Sequence, residues 1–234
     1  MTSFLVVDCV TKSYGAKRVL TAGSLRAECG QVRVLFGRNG SGKSTLLKIA
    51  AGYVQPDSGV VHVRGNVRLR TSMARMARDG VFYLPDHDLL SSALSLRQQL
   101  RMFEDRFTQR TVAEAARIAM VESLLDRKPH TLSGGELRRA ELAAALTRRP
   151  HCVLADEPFR GIAPVDHDAI GAILQAMAAE GCAVVITGHE VSSLLTFADH
   201  ITWCTSGTTY ELGAPHEARE HEAFANEYLG LRGV

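Results

Sequence analysis

The chain has 234 residues, 46% of them hydrophobic and 22% charged, with a formal net charge of +2. That length and composition suit a globular protein with a sizeable core, and so small a charge excludes a purely electrostatic case for a nucleic-acid or anionic-membrane partner. The five cysteines, Cys9, Cys29, Cys152, Cys182 and Cys204, are scattered without a CxxC pair, which argues against zinc or a redox motif and for reduced core thiols in a cytosolic protein.

In chain order, MTSFLVVDCVTKSYG lacks a basic region followed by a signal-length apolar run, so no secretory leader is expected. FLVVDCV and the run from Val19 to Leu25 read as early strands. QVRVLFG is an apolar strand ending in glycine, and KSTLLKIAAG is a helix closed by Gly52. VVHVRG and VFYLP are further strands. From about Ser95 to Pro150 the pattern is almost wholly helical, with a break at Pro129. HCVLADE (strand), DHDAIGAILQAMAAEG (helix), CAVVITGH (strand), VSSLLTFAD (helix) and HITWCTSG (strand) follow. Apolar strands alternating with helices predict an α/β protein whose parallel sheet is covered on both faces. The central helical block interrupts that alternation as an inserted subdomain. No segment approaches the roughly 18 consecutive apolar residues of a membrane-spanning helix.

Gly37-Arg38-Asn39-Gly40-Ser41-Gly42-Lys43-Ser44-Thr45 satisfies G-x-x-x-x-G-K-[ST] at every fixed position, between a strand and a helix. Its glycines let successive backbone N–H groups curl around phosphate oxygens. Lys43 is expected to reach the β- and γ-phosphates and the Ser44 hydroxyl to ligate Mg²⁺. In CVLADEP, a buried strand ends in two carboxylates, which is costly unless they meet a cation. Asp156 is expected in the Mg²⁺ shell and Glu157 to polarise the attacking water. Both motifs indicate an NTPase. In TLSGGELRRAEL, Ser133 and two glycines precede a second helix start, with Glu136 placed to complete a capping box.

LSGGE, residues 132–136, resembles the signature motif of ABC-type ATPases, and the resemblance extends over almost the whole chain. Tyr14 in KSYG stands where this family places an aromatic that stacks on adenine. His189 in VITGHE stands where it keeps a switch histidine for the γ-phosphate. The resemblance implies a P-loop NTPase core with a mixed, largely parallel sheet, an N-terminal antiparallel β subdomain and an inserted α-helical subdomain. It forms one domain over 1–234, with the core at 1–85 and 150–234 and the helical insert at about 86–149. It further implies that ATP on the P-loop of one protomer is closed over by Ser133, Gly134, Gly135 and Glu136 of another. The partner would be a second copy or a paralogous ATPase.

Without a spanning helix, such a motor would sit in the cytoplasm against the inner face of the cell membrane, driving separate integral permease subunits, with no direct nucleic-acid contact. EPFRGIAP and NEYLG resemble the ATPase subunits of branched-chain amino-acid importers and lipopolysaccharide export. PDHDLLSSALSLRQQL would be the permease-contacting surface.

Three positions depart from the family pattern. Asp86 replaces a glutamine that serves Mg²⁺ and water. Ala163 stands where an aspartate is usual, with Asp166 three residues on, and Ala144 where an arginine is common. Asp86, a shorter and anionic candidate metal ligand beside a triphosphate, predicts slow basal hydrolysis that leans on high Mg²⁺. The competing readings are a non-transport ABC ATPase and a regulatory module that binds ATP but barely turns it over.

Overall fold

The computed structural model describes residues 2–107, 109–189 and 191–229. Glu190 of VITGHE and Gly230 of NEYLG lie outside the described residues. The chain opens with two long antiparallel strands, β1 (Ser3–Tyr14) and β2 (Lys17–Glu28), then β3 (Val32–Phe36), the P-loop and α1 (Lys43–Ala50). β4 (Ser58–Val63), β5 (Asn66–Arg68), α2 (Met73–Arg78) and β6 (Val81–Leu84) follow. The next segment holds α3 (Leu96–Phe107), α4 (Val112–Ile118) and α5 (Gly134–Arg148), with a short 3₁₀ turn at Pro129–Thr131 marking the expected break. Then come β7 (Cys152–Ala155), α6 (His167–Ala179), β8 (Ala183–Gly188), α7 (Val191–Leu194), β9 (His200–Thr205), β10 (Thr208–Gly213), α8 (Pro215–Glu220) and α9 (Glu222–Tyr228).

The strands form one mixed sheet in the order β5-β4-β1-β2-β10-β9-β3-β8-β7-β6. β6, β7, β8, β3 and β9 run parallel, whereas β1 pairs antiparallel with both β2 and β4, and β4 with β5. All five residues of β3 are buried. Val32, Val34 and Phe36 enter one apolar cluster with the helices after β6, while Leu35 enters the other, with α1 and β1. Side chains that alternate into two cores on opposite faces are what a doubly covered central strand requires.

Two expectations need correction. Cys152, Cys182 and Cys204 are buried, but Cys9 and Cys29 are exposed, so the thiols are not uniformly core residues; all five are free. The helix expected across VSSLLTFAD shrinks to the single turn Val191–Leu194.

Because β3, β6, β7 and β8 are parallel, they deliver Gly37, Pro85, Asp156 and His189 to the same edge of the sheet. Ligands of open α/β sheets bind at that edge.

Candidate active site

At the exit of β3, Gly37 must be glycine: an added Cβ would lie 2.5 Å from both the Cys204 carbonyl oxygen and Ser41 Oγ. α1 then starts at Gly42, whose φ of +110° only glycine adopts readily, and no side chain caps it. Among the described residues, the amides of Gly42, Lys43, Ser44 and Thr45 donate to no protein acceptor. A helix N-terminus with bare amides and a buried ammonium beside it is built for an anion. Lys43, 4% exposed, folds back on its own loop and donates to the carbonyls of Gly37 (2.7 Å) and Arg38 (3.1 Å). Arg38 pairs with Glu227 of α9 at 3.2 Å, and Phe36 lies 5.5 Å from the Phe224 ring. The predicted cradle residues Gly37, Arg38, Asn39, Gly40, Ser41, Gly42, Lys43, Ser44 and Thr45 thus form one loop and helix start.

Asp156 leaves β7 and is 2% exposed. Its Oδ1 accepts from Ser44 Oγ at 3.0 Å and Thr187 Oγ1 at 2.8 Å, and its Oδ2 from the Tyr83 hydroxyl at 3.1 Å. Burial, and then the Asp156 charge, push the Tyr83 hydroxyl far above its ordinary range, so it stays a donor. Among the described residues, no lysine, arginine or histidine lies within ion-pair reach of Asp156. A buried carboxylate held only by neutral donors, beside a serine hydroxyl, offers the hard oxygen set that Mg²⁺ takes, so Ser44 and Asp156 fit this ion.

Glu157 follows in a left-handed conformation, φ 46°. That is a strained geometry for a non-glycine residue and persists only where the surroundings fix it. Its amide donates to Thr187 Oγ1 at 2.8 Å, its carbonyl accepts from the Arg160 amide at 3.0 Å, and its carboxylate lies 3.7 Å from Lys43 Nζ and 3.3 Å from His189 Nδ1. Three strand ends therefore bring Lys43, Ser44, Asp156, Glu157 and His189 together.

The other predicted residues are placed differently. Tyr14 ends β1 half exposed, with the Lys12 ammonium 5.7 Å from its ring centre, and makes no hydrogen bond or ring contact with the P-loop among the described residues. Ser133 caps α5: its Oγ accepts from the Glu136 amide at 3.3 Å, and its own amide donates to Glu136 Oε2 at 2.8 Å, a complete capping box. That contact holds the Glu136 carboxyl below its usual range. Gly134 and Gly135 pack on the loop after Glu157, where a Cβ on Gly135 would come 2.1 Å from Asp166 Oδ2. This start joins no P-loop group of the same chain by hydrogen bond or ion pair, among the described residues.

Asp86 is not free. Its Oδ2 pairs with Arg160 at 3.0 Å and its Oδ1 with His87 Nδ1 at 2.7 Å.

Sequence reasoning missed Thr187, Tyr83 and Arg160. Thr187 left a signal, a hydroxyl inside the apolar strand two residues before His189. A cavity of about 530 Å³ lies at the opposite sheet edge and includes Arg78, Arg106, Arg148 and Arg149 in its lining. Arg148 and Arg149 close α5 and Arg78 closes α2, and Arg148 donates to the Val81 and Ala77 carbonyls. Arg148 thereby answers a carbonyl in the last turn of α2.

Residues 20–160, more than half of the chain, match the ABC transporter family. The chain belongs to the ABC transporter ATP-binding family. It is 30% identical over 236 residues to the lipopolysaccharide export system ATP-binding protein LptB of Acidithiobacillus ferridurans, covering 98% of each chain. It is 31% identical to LptB of Escherichia coli K12, covering 97% of each. Its fold matches the ADP conformation of MJ1267, an ATP-binding cassette of an ABC transporter, with a TM-score of 0.86 at 22% identity over 98% of this chain and 100% of that one. As an ABC ATP-binding subunit, the chain binds ATP and hydrolyses it. No helix among the described residues is long and apolar enough to cross a membrane.

Proposed function

We propose that two protomers of this ABC subunit close head to tail around two ATP molecules and drive separate permease subunits from the inner face of the membrane. In this reading the bare amides of α1 hold the β- and γ-phosphates, and Lys43 exchanges its two loop carbonyls for phosphate oxygens. Ser44 and Asp156 hold Mg²⁺, which when bound neutralises charge developing on the phosphates. Glu157 takes a proton from the attacking water, His189 faces the γ-phosphate, and Tyr14 stacks on adenine. Ser133, Gly134, Gly135 and Glu136 of the second protomer complete the site.

The meeting of Lys43, Ser44, Asp156, Glu157 and His189 at one sheet edge carries the proposal. The helical stretch at about 86–149, inserted between core segments 1–85 and 150–234, seats the permease. An apolar groove of about 370 Å³ between Leu89, Leu90 and Leu94 on one side and Met102, Phe103 and Phe107 on the other supports that role.

Glu157→Gln keeps shape and hydrogen bonding but cannot take up a proton, so the site should stall closed. With ATP and Mg²⁺ this variant should elute as a dimer on size exclusion and with ADP as a monomer. A monomer in both, at high protein concentration, would remove the case for a site completed in trans.

A further inference from the structure

An ion pair between Asp86 and Arg160 joins the loop leaving β6 to the turn carrying Glu157. Each partner is fixed from behind. Arg138 of α5, 4% exposed, donates to the Pro85 carbonyl at 2.8 Å and the Asp86 carbonyl at 2.7 Å, and is braced by Glu141 at 2.9 Å. Burial raises the Glu141 carboxyl, against the pull of Arg138. Arg160 for its part donates its amide to the Glu157 carbonyl and so closes the turn in which Glu157 holds its strained φ. The contacts run unbroken from α5 through Arg138, Asp86 and Arg160 to Glu157.

We infer that Arg160 is a positioning residue that, through Asp86, ties the catalytic turn to the signature helix, so that α5 and the Glu157 carboxylate move as one body. This rests on the proposed ATPase mechanism. A strained turn stays productive only while its surroundings over-determine it, and a small misplacement of a catalytic group is costly in rate. The pair itself is partly solvated, so its worth is bounded by that of an exposed ion pair. Asp86 thereby has a role that requires no metal contact. Its carboxylate serves Arg160, and His87 occupies the other oxygen.

The test is a double-mutant cycle on the full-length protein with Arg160→Ala, Asp86→Asn and the pair combined. Each single variant should lower kcat about fivefold while the ATP dissociation constant from calorimetry stays within about twofold. The double variant should be no slower than either single, and Arg160→Lys should recover part of the rate. The second readout needs no nucleotide: amide exchange of Glu157, Phe159 and Arg160 should quicken equally in both single variants. Additive losses, a matching loss of ATP affinity in Arg160→Ala, or unchanged exchange would each overturn the inference. Quickened exchange in both single variants, with no hydrolysis by the wild-type protein, would instead overturn the ATPase mechanism and leave the tether standing.

Discussion

The protein contains two glycine-rich helix starts, and they are built in opposite ways. α1 begins at an uncapped Gly42 with φ +110° and four amides that are bare among the described residues. α5 begins at Ser133 with a complete capping box, and Gly134 and Gly135 keep the only two bare amides of its first turn, among the described residues. At α1 glycine is needed for backbone conformation, since Gly42 could not otherwise turn the chain. At α5 it is needed for space, since Gly135 lies against Asp166. An open end suits a ligand bound in the same chain, and a closed end with two amides left over suits a contact completed from outside. Glycine-rich sequence alone does not distinguish these; the cap does.

The sharpest way to break the contrast is Gly42→Ala. Its Cβ would sit 2.7 Å from Leu20 Cδ2 on a backbone that disfavours any side chain, so it should cost about 3 kcal/mol of folding stability in urea melts. A tolerated alanine would mean that the open start does not depend on glycine. Lys43→Ala leaves the amides in place but removes the charge, so ATP affinity should fall at least tenfold, roughly 1.4 kcal/mol. Undiminished binding by calorimetry would show that the bare amides suffice. Ser133→Ala should cost about 1 kcal/mol of stability without changing ATP affinity of the monomer.

Glu136→Gln should have the smallest effect, about 0.5 kcal/mol at neutral pH. Its direction with pH is fixed. A carboxyl held below its usual value in the fold contributes stability above its unfolded pKa and loses it as pH falls through the folded one. The variant and wild type should therefore converge in melts as the pH is taken progressively below the ordinary glutamate range. A gap that persists in acid would assign the contribution to packing rather than charge.

Much of the site was legible because its residues are fixed by backbone geometry. The P-loop pattern, the two carboxylates after an apolar strand and the capping box each lie within a few residues, and local spacing specifies them. Relations across the sheet were not legible. Thr187 bonds Asp156 across 31 positions, and Arg160 meets Asp86 across 74. No periodicity encodes such a meeting. Arg138 and Glu141 were equally hidden, since two charges at helical spacing read as a solvated pair, whereas here both are buried. β5, α2, β10, α8 and α9 carry too little periodicity to stand out, and VSSLLTFAD has the apolar content of a helix but folds as one turn and a bend.

The placement of β3 has a consequence for synthesis. The strand that launches the P-loop pairs with β8 and β9, with Val34 opposite Ile186 and Ile201. Arg38 and Phe36 are fastened by α9 through Glu227 and Phe224. The phosphate loop therefore leaves the ribosome early, but the strands and helix that hold it are translated at the far end of the described chain. Pairings of such long separation form slowly. A nascent chain arrested after α5 would carry the whole P-loop sequence without its neighbours, and nucleotide binding would arise only after β9 and α9 had docked.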